Sequence, residues 1–197
     1  MHSSRTVRQI ILASASPRRK ELLALTGLQF RVVPSRYEED MSLRLSPHRL
    51  ARFLSLEKAR EVGSRHGDAL VIAADTFICR NGRLMGKPAT LSEAKEMLLS
   101  LRGRAHLVVT GFTIIDAASG RTSSKSVGTR VFFRKVAERE IDEYVASGEP
   151  MDKAGAYAIQ GLGSVLIRKI EGDYFNVIGL PLCALVTELK RFGVRVL

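Results

Sequence analysis

Apolar positions along the chain follow two periods in turn, and this alternation predicts a mixed α/β architecture. Ile10-Ile11-Leu12-Ala13 is an unbroken apolar run of buried-strand length. Ser16-Pro17 supplies an N-cap residue and a proline at the first helical position. Leu22, Leu23 and Leu25 give that helix its apolar side, and Gly27 stops it. Phe30 to Val33 reads as a second strand. A helix is expected over His48 to Val62, with Leu50, Phe53 and Leu54 as its stripe and Gly63 as its end. Ala69 to Ala74 is another apolar run, ending at Asp75. Phe77-Ile78-Cys79 and Leu84-Met85, around Arg80-Asn81-Gly82-Arg83, form a hairpin with an Asn-Gly turn.

Thr90-Leu91-Ser92-Glu93 has capping-box spacing. The helix after it should bury Leu91, Ala94, Met97, Leu98 and Leu101 and end near Gly103. His106 to Ile115 and Val127 to Phe133 are long β-like segments. Ala137 to Ser147 is a helix with Ile141, Tyr144 and Val145 inward. Ser164 to Ile170 is a strand, and a last helix runs from Leu182 to Phe192. Adjacent strand pairs beside strand–helix alternation point to one mixed sheet flanked by helices, not to a purely parallel sheet. A chain of 197 residues suits one domain, 1–197, or two closely packed lobes.

Hydrophobic residues make up 45% and charged residues 26%, enough apolar material for a sizeable core. No apolar run reaches the roughly 18 residues of a membrane span, and the polar, basic start does not read as a signal peptide. A cytoplasmic protein is expected. Cys79 and Cys183 lie far apart with no metal-ligand spacing, so core or near-surface thiols are the expectation. The net charge of +11 asks for an anionic partner or a solubilising surface. Its Lys and Arg are scattered, Trp is absent, and no basic stretch is interleaved with aromatics. Specific nucleic-acid binding is therefore not expected, only weak, salt-dependent affinity for polyanions.

Five segments carry candidate chemistry. Ser14-Ala15-Ser16-Pro17-Arg18-Arg19-Lys20 opens a helix with cations where the helix dipole favours anions. A phosphate held by backbone amides and arginine forks would offset that penalty; outward-pointing side chains are the alternative. Asp75, at the end of its apolar run, suits metal binding or proton abstraction, or merely caps a turn. Gly86-Lys87-Pro88 offers a lysine beyond the hairpin. Asp152 to Gly161 is rich in small residues that let a ligand approach the backbone, and Gln160 could read a base edge. Gly172 to Pro181 reads as a structural entry to the last helix.

Ser-Ala-Ser-Pro-Arg-Arg near the start, Ala-Asp-Thr at 74–76, Gly-Lys-Pro at 86–88, Asp-Lys-Ala-Gly-Ala-Tyr at 152–157, Ile-Gln-Gly at 159–161 and Gly-Leu-Pro at 179–181 occur in this order. In that order and spacing the chain resembles the Maf family of nucleotide pyrophosphatases from about Ile10 onward. The resemblance implies an ITPase-like fold with a central cleft, often in homodimers. It implies hydrolysis between the α- and β-phosphates with a divalent metal, Mg²⁺ or Mn²⁺. Carried over, Asp75 is the catalytic base and Ser14, Arg18 and Arg19 bind phosphate. Lys58, within Glu57-Lys58-Ala59, and Lys87 contact substrate. Glu39, with Asp75, is the expected metal ligand, although Glu38 and Asp40 compete for that role. Arg18, Thr76 and Gln160 resemble the subgroup acting on dTTP and UTP rather than on 7-methyl-GTP, with Thr76 and Gln160 expected to select the base. Ala158 departs from the family, where Gly is usual. The alternatives are a pyrophosphatase acting on 7-methyl-GTP or on non-standard purine nucleotides, or a non-catalytic regulator of septum formation that binds nucleic acid.

Overall fold

The computed structural model describes residues 8–38 and 43–197. Seven strands form one mixed sheet: β1 (Ile10–Leu12), β2 (Phe30–Val32), β3 (Leu70–Arg80), β4 (Arg83–Met85), β5 (Ala105–Asp116), β6 (Thr122–Phe133) and β7 (Ile167–Glu171). The spatial order is β2-β1-β3-β5-β6-β7, and β4 pairs with β3 off that path. β1 runs parallel to β2 and β3, and the other pairings are antiparallel. Six α-helices accompany it among the described residues: α1 (Pro17–Ala24), α2 (Pro47–Arg65), α3 (Leu91–Leu101), α4 (Glu138–Ala146), α5 (Tyr174–Ile178) and α6 (Leu182–Arg191). The mixed sheet with flanking helices is therefore present as the hydrophobic pattern predicts.

The period-2 alternation of β3 assigns its side chains to two faces. Leu70, Ile72 and Ala74 join Leu22 and Leu23 of α1 and Leu182, Leu185 and Leu189 of α6 in one cluster. Val71 and Ala73 face the other way, against Ala59 and Val62 of α2. The same parity puts Asp75 and Phe77 on the α2 face, where Phe77 packs with Leu50, Ala51 and Leu54. It puts Thr76 on the α1 face. Beyond it, Ile78 enters a separate cluster with Ala94, Leu98 and Leu101 of α3 and Ile141, Tyr144 and Val145 of α4. The α1/α6 and α3/α4 clusters thus meet the same strand on either side of residues 75–77.

Gly111 stands opposite Asp75 in the β3–β5 register. A Cβ at Gly111 would lie 2.2 Å from the Ala51 carbonyl carbon. Glycine therefore lets the α2 backbone settle directly on β5, which fixes the height of α2 above Asp75.

Several expectations need correction. Asp75 does not end a strand: 70–80 is one continuous strand, because Asp75 and Thr76 keep their backbone pairing with β5. Gly63 does not end α2; it is buried, with room around it for a Cβ, and the helix runs on to Arg65. Leu25 and Leu91 are 69% and 53% exposed, because each sits at a helix terminus, off the buried stripe. Residues 162–166 form a 3₁₀ turn ahead of β7. β6 begins earlier than expected, its Thr122–Ser126 end being polar on both faces and so invisible to an apolar pattern. Cys79 is buried and Cys183 exposed, both as free thiols. Among the described residues no helix is long and apolar enough to cross a membrane.

Candidate active site

A gap in the sheet makes the site. The β1 chain follows β3 only as far as the hydrogen bond from Ala13 N to Ile72 O, 2.7 Å. β4 joins the same edge of β3 only from Ile78. Between them the edge groups of Ala74 and Thr76 need other partners, since buried backbone polar groups are rarely left unpaired. Arg19 Nη1 donates to Ala74 O at 2.7 Å, and Thr76 N donates to Asp75 Oδ1 at 2.9 Å. Arg19 also donates through Nε to Gly179 O at 3.0 Å and through Nη2 to Thr76 Oγ1 at 3.0 Å. One guanidinium therefore ties α1, β3 and the end of α5 together beside Asp75.

Above this gap lies a cavity of about 1030 Å³. Every substrate-binding or catalytic residue inferred from sequence lines it: Ser14, Arg18, Arg19, Lys58, Asp75, Thr76, Lys87 and Gln160. Asp75 is 6% exposed, and the Lys58 ammonium, brought in by α2, stands 3.1 Å from its Oδ2. Arg19 Nη2 is 4.0 Å from Oδ1. Ser14 is buried, and its Oγ accepts from Ser16 N at 3.2 Å. Ser16 in turn caps α1, whose first turn contains no acidic residue. The turn therefore presents amides and cations to the cavity, the arrangement that suits a phosphate. Lys87 is held on the opposite wall, where Gly155 N donates to Gly86 O at 2.8 Å. Glu39 lies outside the described residues.

The structure redistributes two expected roles. Arg19 is largely committed to protein acceptors, so it builds the site more than it reaches for ligand. Thr76 is similarly engaged: besides Arg19, its Oγ1 lies 3.0 Å from Thr110 Oγ1. Thr110 in turn hydrogen-bonds the fully buried Asn176. Arg18, by contrast, borders the cavity, and among the described residues its donors are not consumed in this way.

Sequence reasoning missed Lys153, which lines the cavity, is buried and pairs with the exposed Asp152. A lysine inside a run of small residues was the available signal. Ser35 and Tyr37 also reach the cavity, on a segment latched by Glu61, which accepts from Ser35 Oγ at 3.0 Å and Arg36 N at 2.9 Å. Ala156 holds φ +60 after Gly155 at φ +67, a costly conformation for alanine that keeps this loop against Ile78. Ala158 is not among the positive-φ residues, so its methyl is accommodated.

The model of the Maf-like proteins matches residues 9–192. The chain belongs to the Maf family. A protein of Methanococcoides burtonii named dTTP/UTP pyrophosphatase is 48% identical over 191 residues, covering 96% of this Maf chain and 98% of that protein. One of the same name from Methanosarcina barkeri is 49% identical, covering 96% and 97%. Another of that name, from Bacillus anthracis, is 47% identical, covering 96% and 98%. A weaker likeness, TM-score 0.49 at 12% identity over 81% of this Maf chain and 80% of the other, is to the Ham1 protein of Staphylococcus aureus.

Proposed function

We propose that this Maf protein hydrolyses nucleoside triphosphates to the monophosphate and pyrophosphate, with dTTP and UTP preferred. The observation that carries the reading is the Lys58–Asp75 pair at 3.1 Å, in a cavity that Arg18, Lys87 and Lys153 also line. A carboxylate for a proton and several cations for charge are what phosphoryl chemistry requires. The names of relatives 47–49% identical over nearly the whole chain support it further.

In this reading the triphosphate tail lies among Arg18, Lys58, Lys87 and the first turn of α1. Asp75 takes a proton from the water whose oxygen attacks the α-phosphorus. As that bond forms, the bond from the α-phosphorus to the oxygen bridging α and β breaks, and the pair of electrons leaves with pyrophosphate. The cations stabilise the charge that gathers there. Arg19 keeps the Asp75–Thr76 backbone fixed while this happens. Gln160 reads the base from the exposed wall, and Thr76 supports the base side from beneath.

A divalent cation, Mg²⁺ or Mn²⁺, fits the donor chemistry. Among the described residues no three His, Cys, Asp or Glu side chains form a preformed cage. Mg²⁺ does not need one, since it is commonly held by one or two carboxylates and the substrate's phosphates. Asp75 would hold it, with Glu39 as the second ligand. When bound, the ion would neutralise phosphate oxygens. A homodimer belongs to the same reading, and light scattering at assay concentration tests it.

The deciding experiment is pyrophosphate release from a nucleotide panel at equal concentrations with Mg²⁺ and with Mn²⁺. dTTP and UTP should lead ATP and GTP. A flat profile, or a preference for 7-methyl-GTP, overturns the substrate assignment.

A further inference from the structure

We infer that Glu149 is a positioning residue that sets base selectivity by holding the loop that carries Gln160, without itself touching substrate. The inference rests on the pyrophosphatase reading above. Gln160 is exposed and lines the cavity, and among the described residues nothing hydrogen-bonds its side-chain amide. Its aim is therefore set by its backbone. That backbone is folded around one carboxylate.

Glu149 Oε2 accepts from Leu162 N at 2.9 Å, and Oε1 accepts from Gly163 N at 3.0 Å. Tyr144 Oη donates to Oε1 at 3.0 Å from the buried side of α4. Burial, and then the Glu149 carboxylate itself, push the Tyr144 phenol upward, so it remains a donor across neutral pH. Gly161, directly after Gln160, has φ +78 and ψ −153, a region open essentially to glycine alone. A Cβ there would come 2.7 Å from Glu149 Oε2. The loop thus passes hard against the carboxylate, and the reversal at Gly161 turns Gln160 outward to the cavity. Glu149 is not one of the cavity-lining residues.

Discrimination by hydrogen bonding depends on where the amide stands, and a displacement of about an ångström is enough to lose it. Replacing one carboxylate oxygen by an amide NH₂ sets a donor against a donor and frees part of the loop. Glu149→Gln should raise KM for UTP roughly tenfold while kcat changes less, and should lower the UTP-over-CTP ratio of kcat/KM by a similar factor. Combined with Gln160→Ala, it should add little, because both act through one contact.

The test is steady-state kinetics of wild type, Glu149→Gln, Gln160→Ala and the double variant on UTP and CTP, with melting temperatures beside them. Losses that multiply in the double variant, or a Glu149→Gln protein with a lower Tm and an unchanged UTP-over-CTP ratio, overturn the role of Glu149. If Glu149→Gln fails to fold, Tyr144→Phe, which removes one of the three donors to the same carboxylate, must show the same loss of selectivity or the inference falls. A wild-type protein that releases no pyrophosphate would sink the activity itself; an active, selective wild type with multiplying losses sinks only this inference.

Discussion

Lys58 Nζ, from α2, lies 3.1 Å from Asp75 Oδ2 on β3, and strand parity points Asp75 at the face of the sheet on which α2 packs. The pair gives the cavity a carboxylate, which the proposed reaction would use as its base, with a cation already beside it. Asp75→Asn keeps the acceptor that holds Thr76 N but cannot take a proton. Its fold should persist by circular dichroism, and its kcat should fall about 10²- to 10⁴-fold. A variant within a few-fold of wild type would mean that another group removes the proton.

Arg18 and Arg19 are adjacent in sequence and differ in work. Arg19 reaches Ala74 O, Gly179 O and Thr76 Oγ1 with one planar fork, a geometry that lysine does not reproduce. Arg19→Lys should leave buried carbonyls without donors and cost about 2–3 kcal/mol in urea unfolding, with kcat falling as Asp75 loses its frame. Arg18→Lys should instead raise KM and leave the unfolding midpoint nearly unchanged. Equal stability of the two variants would contradict the assignment of Arg19 as a strut.

The residues that reach the cavity were legible because their motifs are short and local. Ser14 to Arg19, Lys87 and Gln160 sit where a strand or helix ends or a loop turns, and Asp75-Thr76 is a polar pair inside an otherwise apolar strand. Their convergence was not readable from periodicity, because it depends on a sheet edge left open between β1 and β4. Arg19 as a strut was also out of reach: its acceptors are 55, 57 and 160 residues away. Asp75 looked like a strand end because a carboxylate interrupts the apolar run, while its backbone pairing with Gly111 carries the strand onward. Glu149 left no sequence signal, since a glutamate after Gly148 reads as a solvated turn residue until its two backbone donors, at 162 and 163, are seen.

His106 is 4% exposed, shares a 2.6 Å hydrogen bond with Tyr157 Oη, and stacks edge-on with Phe133 and Tyr157. Burial, and then the charge of Arg80, pull its pKa from 6.5 down to about 4. The fold therefore holds it neutral. Below about pH 6.5 the unfolded chain binds a proton that the native state refuses, so stability falls with pH until the folded value near 4 is passed. The full loss is on the order of 3 kcal/mol. The carboxylates with lowered pKa, Glu61, Glu140, Glu171 and Glu188 from 4.5 and Asp116 from 3.8, lose their contribution only at lower pH. The window between pH 6.5 and 4.5 is thus set by His106. Urea midpoints measured across it should fall steadily in wild type and stay nearly flat in His106→Gln, which keeps a polar partner for Tyr157 and cannot be protonated. Parallel curves for the two proteins would show that the acid sensitivity arises elsewhere.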